Sequence, residues 1–178
     1  VNDITASPQP GWIGLTKIKG GVGLAIRIGQ FLNGDGFSQY EHAFVYIGDG
    51  RIVEAEPGPA GAALGYLGEY DPDKVAWLEC PARFGPAVAD AARQMIGTPY
   101  SFLDYGALFL HRLHIPAPGL RDYIQASGHR ICSQLADRAA NLGGWHLFSD
   151  DRWEGYVTPG ALSRLRRQLA AHPEGAAA

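Results

Sequence analysis

The sequence predicts an α+β fold in which an antiparallel hairpin meets an amphipathic helix, and three stretches of the 178 residues carry that prediction. Ala43-Phe44-Val45-Tyr46-Ile47 and Arg51-Ile52-Val53-Glu54-Ala55 are β-rich runs flanking Gly48-Asp49-Gly50, the composition of a hairpin turn. Leu135, Ala139 and Leu142 continue from Ile131 at roughly helical spacing, and Gly143-Gly144 supplies a stop. Pro86 to Ile96 reads as another helix, with proline in its first turn, Val88, Ala91, Ala92 and Met95 on one face, and Gly97 at its end.

The remaining elements follow in chain order. Ile13 to Leu32 is apolar in places, but Lys17, Lys19, Arg27 and five glycines interrupt it, so it does not read as a membrane span. Gly58 to Gly68, rich in glycine, alanine and proline, is expected to be a loop beside the hairpin. Val75 to Cys80 reads as a strand ending before Pro81, and Leu103 to Leu113 as a second helix before Pro116 and Pro118. Thr158-Pro159 is a cap followed by a first-turn proline, opening a last helix with Arg164, Arg166 and Arg167, and His172 to Ala178 reads as a frayed tail. The length suits one domain spanning 1–178. A net charge of -3 gives no support to nucleic-acid binding. The N-terminus shows no charged segment followed by an apolar core, so no secretory signal is expected in this stretch, and location stays open.

Chemistry centres on Cys132, at the start of its helix. A thiol in a first turn feels unpaired N–H groups and the positive end of the macrodipole, which favour thiolate. Taken alone, Cys132 is equally readable as a buried small hydrophobe. A disulfide with Cys80, the only other cysteine, is disfavoured, because two cysteines in a chain this size make no disulfide scaffold. Cys80 reads as structural.

The hairpin offers the base. If Gly48-Asp49-Gly50 forms a three-residue turn with Gly50 as the left-handed bulge residue, Ile47 pairs with Arg51, Phe44 with Glu54 and His42 with Glu56. Strand side chains alternate, so His42, Glu54 and Glu56 then share a face. A two-residue Asp49-Gly50 turn would shift the register and put both glutamates opposite to His42. A carboxylate on one ring nitrogen fixes the tautomer while the other nitrogen takes the thiol proton. Hairpin geometry does not choose between Glu54 and Glu56, and a solvated strand face would explain either.

These residues carry a resemblance to the permuted papain-like hydrolases of the NlpC/P60 superfamily, YiiX-like branch, with lecithin:retinol acyltransferase-like proteins as relatives. The shared pattern is His-x-x-x-Tyr-Ile-Gly-Asp-Gly-Arg-x-x-Glu from His42 to Glu54, then Gly97-Thr98-Pro99-Tyr100-Ser101-Phe102, then Cys132-Ser133-Gln134-Leu135. It extends from about Gly11 to Leu165. The resemblance implies a circularly permuted papain-like fold, an antiparallel sheet packed against the helix of the catalytic cysteine. It makes Cys132 the nucleophile, His42 the base and Glu54 the orienting acid, because the family's third residue lies twelve after the histidine; Glu56 is the alternative. Trp12 stands where the family's opening motif has aspartate, and Ile131 where an aromatic commonly precedes the cysteine.

The expected reaction is amide hydrolysis in a peptide, with peptidoglycan-derived substrate favoured by resemblance. A lipid ester or amide is the alternative, and a non-catalytic binding module a further one. No metal or organic cofactor is required. Tyr100, Tyr123 and Gln125 are candidates to line the cleft or donate to an oxyanion, with ordinary packing equally compatible; the Cys132 backbone N–H is the safer donor. His111 and His114 lack the further ligands of a metal site. His129, the rival base, has no partner to orient it.

Overall fold

The computed structural model describes residues 7–17, 38–55, 61–98, 132–148 and 157–172. Its strands are β1 (Ile13–Thr16), β2 (His42–Gly48), β3 (Arg51–Ala55), β4 (Ala62–Tyr66) and β5 (Ala76–Leu78). They form one antiparallel sheet in the order β4-β3-β2-β1-β5. The described helices are α1 (Gly85–Gln94), α2 (Cys132–Leu142) and α3 (Pro159–Ala171). The α+β class is therefore present, with an antiparallel sheet packed against the Cys132 helix.

Alternation divides the sheet into two faces of different character. Ile13, Leu15, Ala43, Val45, Val53, Ala55 and Leu78 turn to one side and form a continuous core with Val88 and Ala92 of α1 and Leu135, Ala136, Ala139 and Ala140 of α2. Each leucine-sized side chain buried there contributes roughly 1.5–3 kcal/mol relative to exposure. The other face carries Gly14, Phe44 and Glu54, joined by the pairings Gly14↔Phe44 and Phe44↔Glu54, with His42 one step along β2. Phe44 lies so close over Gly14 that a Cβ there would enter its ring.

The turn corrects the sequence expectation. Asp49 and Gly50 both have positive φ, 52° and 69°, as a two-residue hairpin turn of the primed kind requires. Gly48, not Ile47, pairs with Arg51. Such a turn alone would have sent the glutamates to the wrong face. A bulge between Tyr46 and Gly48 adds the one residue that restores the register, so Phe44 still faces Glu54. Gly48, at φ 99°, takes a conformation that side chains disfavour, and the Arg93 guanidinium donates to the carbonyl of the extra residue, Ile47.

Two further expectations change. Within the segment read as a loop, Ala62–Tyr66 is the edge strand β4, zipped to β3 from Arg51↔Tyr66 to Ala55↔Ala62. Its small residues have weak strand preference, and partner pairing overrides it. Leu142 does not extend the buried stripe of α2: it is 58% exposed, and burial ends at Ala140. The helix closes as foreseen at Gly144, φ 83°, where Trp145 N–H donates to Ala140 and Gly144 N–H to Asn141, a Schellman pattern. Pro86 occupies the first turn of α1. Thr158 accepts from Ala161 N–H at 3.0 Å and caps α3, which fixes itself to β5 through Arg166 Nε donating to the Trp77 carbonyl at 2.8 Å.

Glu56, Tyr100, Tyr123, Gln125, His111, His114 and His129 lie outside the described residues, as do the expected Leu103–Leu113 helix and residues 173–178.

Candidate active site

Cys132 is the first residue of α2, held there by burial of nearly every residue of the first two turns. The adjacent Ser133 hydroxyl donates to the Val157 carbonyl at 2.7 Å, tying the helix start to the segment that leads into α3. Although α2 packs on the apolar face of the sheet, its thiol reaches the end of β2. Cys132 Sγ lies 4.0 Å from the carbonyl oxygen of Glu41, the residue before His42, and the thiol is near enough to the His42 ring to raise its pKa. The sulfur and the ring thus meet at the strand terminus.

His42 opens β2 and projects to the face opposite the core. Glu54 pairs with Phe44, so it is the diagonal neighbour of His42, within reach of a long side chain. Its Oε2 lies 2.7 Å from His42 Nε2. With Nε2 engaged by the carboxylate, Nδ1 is left for the thiol. The same Oε2 accepts from the Tyr70 hydroxyl at 2.5 Å. Tyr70 follows a short 3₁₀ turn, Leu67–Glu69, that brings the chain back over the sheet. Its ring stacks on Phe44, with centroids 5.0 Å apart, and on His42 at 6.1 Å. Nothing in local sequence pattern singles out Tyr70, because the contact joins residues sixteen apart through the path of β4.

The three polar side chains are buried: Cys132 is 2% exposed, Glu54 3% and His42 5%. Burial acts most strongly on the imidazole and would depress its pKa. Hydrogen bonds to Cys132 and Glu54, together with the charges of both, outweigh that effect and push His42 up to about 10. Its neighbours therefore favour the protonated ring, a proton donor held beside sulfur. Cys80 is different in kind. Both cysteines are free, but Cys80 lies 3.6 Å from the Pro81 carbonyl oxygen, and burial pushes its thiol up to about 12.

The structure thus brings together Cys132, His42 and Glu54 of the residues singled out in sequence, and adds Tyr70. Among the described residues, no group of three or more His, Cys, Asp or Glu side chains is placed to hold a metal ion. Among the same residues, no helix is long and apolar enough to cross a membrane. Comparison with protein-family models, with curated proteins and with solved structures finds no match to this chain.

Proposed function

We propose that this chain is a cysteine-dependent hydrolase, a permuted papain-like enzyme of the NlpC/P60 kind, cleaving an amide bond in a peptide. The observation that carries the reading is the order Cys132, His42, Glu54: a thiol at a helix start, beside an imidazole whose Nε2 is held at 2.7 Å by a carboxylate. A buried structural histidine needs no such arrangement, whereas a nucleophile, base and orienting acid do.

The chemistry follows from these positions. Cys132 thiolate attacks the carbonyl carbon, and the carbonyl electron pair moves onto oxygen. The Cys132 N–H, at the first described position of α2, donates to that oxyanion. Collapse expels the amine, which takes the proton from His42 Nδ1 and leaves a thioester on sulfur. His42, now neutral, accepts a proton from water as the water oxygen attacks the thioester. The tetrahedral intermediate releases the carboxylic acid and restores the thiolate–imidazolium pair. Glu54 holds the ring and balances its charge throughout.

Peptidoglycan-derived peptides are the proposed substrate class, supported by the motif resemblance. The test incubates the protein with purified muropeptides and, separately, with phospholipid vesicles, followed by mass spectrometry. New amine and carboxyl ends in the muropeptides, absent with Cys132→Ala, are expected. Fatty-acid release instead would assign a lipid substrate. No product from either, with Cys132 inert to thiol probes, would leave a non-catalytic module.

A further inference from the structure

Glu54 is held by more than His42. A Cβ built on Gly65 of β4 would collide with Glu54 Oε1 and stand 3.2 Å from Ile52 Cγ1. Gly65 pairs with Ile52 in the adjoining strand, and its backbone lies beneath the carboxylate. Its φ lies outside the left-handed region, so the backbone has no need of glycine; the need is for space. From the other side the Tyr70 hydroxyl donates to Oε2, the oxygen that also faces His42 Nε2. Tyr70 is in turn fixed by its stack on Phe44, which rests on Gly14.

We propose that Gly65 and Tyr70 are positioning residues that hold the Glu54 carboxylate against His42, Gly65 by leaving room for Oε1 and Tyr70 by anchoring Oε2. The inference deepens the proposed function and rests on it for its catalytic meaning, but the geometry it concerns can be read without substrate. Among the described residues, the titratable groups that bear on His42 are Cys132 from α2, Glu54 from β3 and Tyr70 from the turn after β4.

The two residues act by different physics, so their substitution separates them. In Gly65→Ala the methyl group displaces the flexible end of Glu54, and His42 loses a hydrogen bond and a neighbouring negative charge. Tyr70→Phe keeps the ring stack and removes the hydrogen bond that anchors Oε2, so the carboxylate can swing away from the imidazole.

The experiment follows the His42 imidazole by NMR over pH in the wild type, Gly65→Ala, Tyr70→Phe, Glu54→Ala and the double variant Gly65→Ala with Glu54→Ala. His42 is expected to titrate lower in Gly65→Ala, by about 1 pH unit or more, the scale of losing an opposite charge at contact. It is expected to titrate lower in Tyr70→Phe as well, because the carboxylate is no longer held against the ring. With Ala at position 54, the added methyl group meets no carboxylate, and Gly65→Ala is expected to cause no further shift. A shift of equal size in both backgrounds would make Gly65 merely structural and overturn the proposal. So would an unchanged His42 titration in both single variants. Should Gly65→Ala fail to fold, the downward shift in the isosteric Tyr70→Phe still decides for or against the Tyr70 anchor. Alkylation of Cys132 in His42→Ala separates this outcome from the functional reading. If His42→Ala leaves that reactivity untouched while the shifts occur, the positioning stands and the hydrolase reading fails; the reverse pattern fails the positioning alone.

Discussion

Glu54 meets His42 along a diagonal of the β2–β3 hairpin, Oε2 to Nε2 at 2.7 Å, while the residue directly across from Glu54 is Phe44. The diagonal engages Nε2 and leaves Nδ1 as the ring nitrogen that Glu54 does not hold. A carboxylate directly opposite His42 would have to fold back on itself to make the same bond.

Substitutions within this unit are expected to be unequal. Cys132→Ala and His42→Ala should each lower muropeptide hydrolysis by roughly 10⁴-fold or more, and the double variant no further, since members of a catalytic unit fail together. Glu54→Gln keeps an acceptor for the ring but loses the charge that stabilises imidazolium, so a loss of about 10²-fold is expected. Steady-state kinetics on folded protein checks the order; an undiminished rate in His42→Ala would refute the base.

Protonation of His42 is expected to depend on its sulfur partner. Removing Cys132 deletes both its hydrogen bond and its charge, leaving burial to act against Glu54 alone, so His42 should titrate lower in Cys132→Ala than the wild-type value of about 10. Imidazole NMR reads this directly. The sign for stability follows: a folded value above the free value of 6.5 makes protonation of His42 favour folding. That contribution is whole below about pH 6.5 and is lost as pH rises through about 10. Denaturation midpoints should therefore fall across this interval more in wild type than in His42→Gln.

The two thiols should differ sharply toward iodoacetamide at neutral pH. Cys132 and Cys80 are 2% and 6% exposed, so access does not favour Cys132. Chemistry does, because burial pushes the Cys80 thiol up to about 12, whereas Cys132 stands beside His42, whose protonated form its neighbours favour. Peptide mapping by mass spectrometry should find Cys132 labelled first. Faster labelling of Cys80 would remove Cys132 from the nucleophile's role.

The turn gives a prediction free of catalysis. Gly50 has φ 69° with open space around a Cβ, so Gly50→Ala meets no clash and carries only the backbone cost, about 1 kcal/mol. A lower urea midpoint with unchanged slope is expected.

Cys132 and His42 were legible because each sits in a pattern with local meaning, a helix start and a strand start, whereas hairpin geometry left Glu54 and Glu56 open and the choice of Glu54 rested on the spacing implied by the resemblance. The facing of His42 and Glu54 was foreseen through a three-residue turn, yet it arises from a two-residue turn and a bulge. Bulges depend on cross-strand pairing and on Arg93, forty-six residues away, and leave no local mark. β4 was hidden for a related reason. Gly65 reads as a strand breaker, and only the structure shows that the carboxylate of Glu54 lies where its side chain would be. Tyr70, brought in by that strand, was invisible with it.

The extra residue at Ile47 also governs how the hairpin can drift in length. Loss of a codon at Val45 or Val53 would reverse the outlook of the strand end beyond it and part imidazole from carboxylate. Loss of Ile47 would only straighten the ladder, keeping Tyr46 across from Ile52 and Phe44 across from Glu54. A lineage can shorten this hairpin at the bulge and keep its chemistry, at the cost of one buried isoleucine.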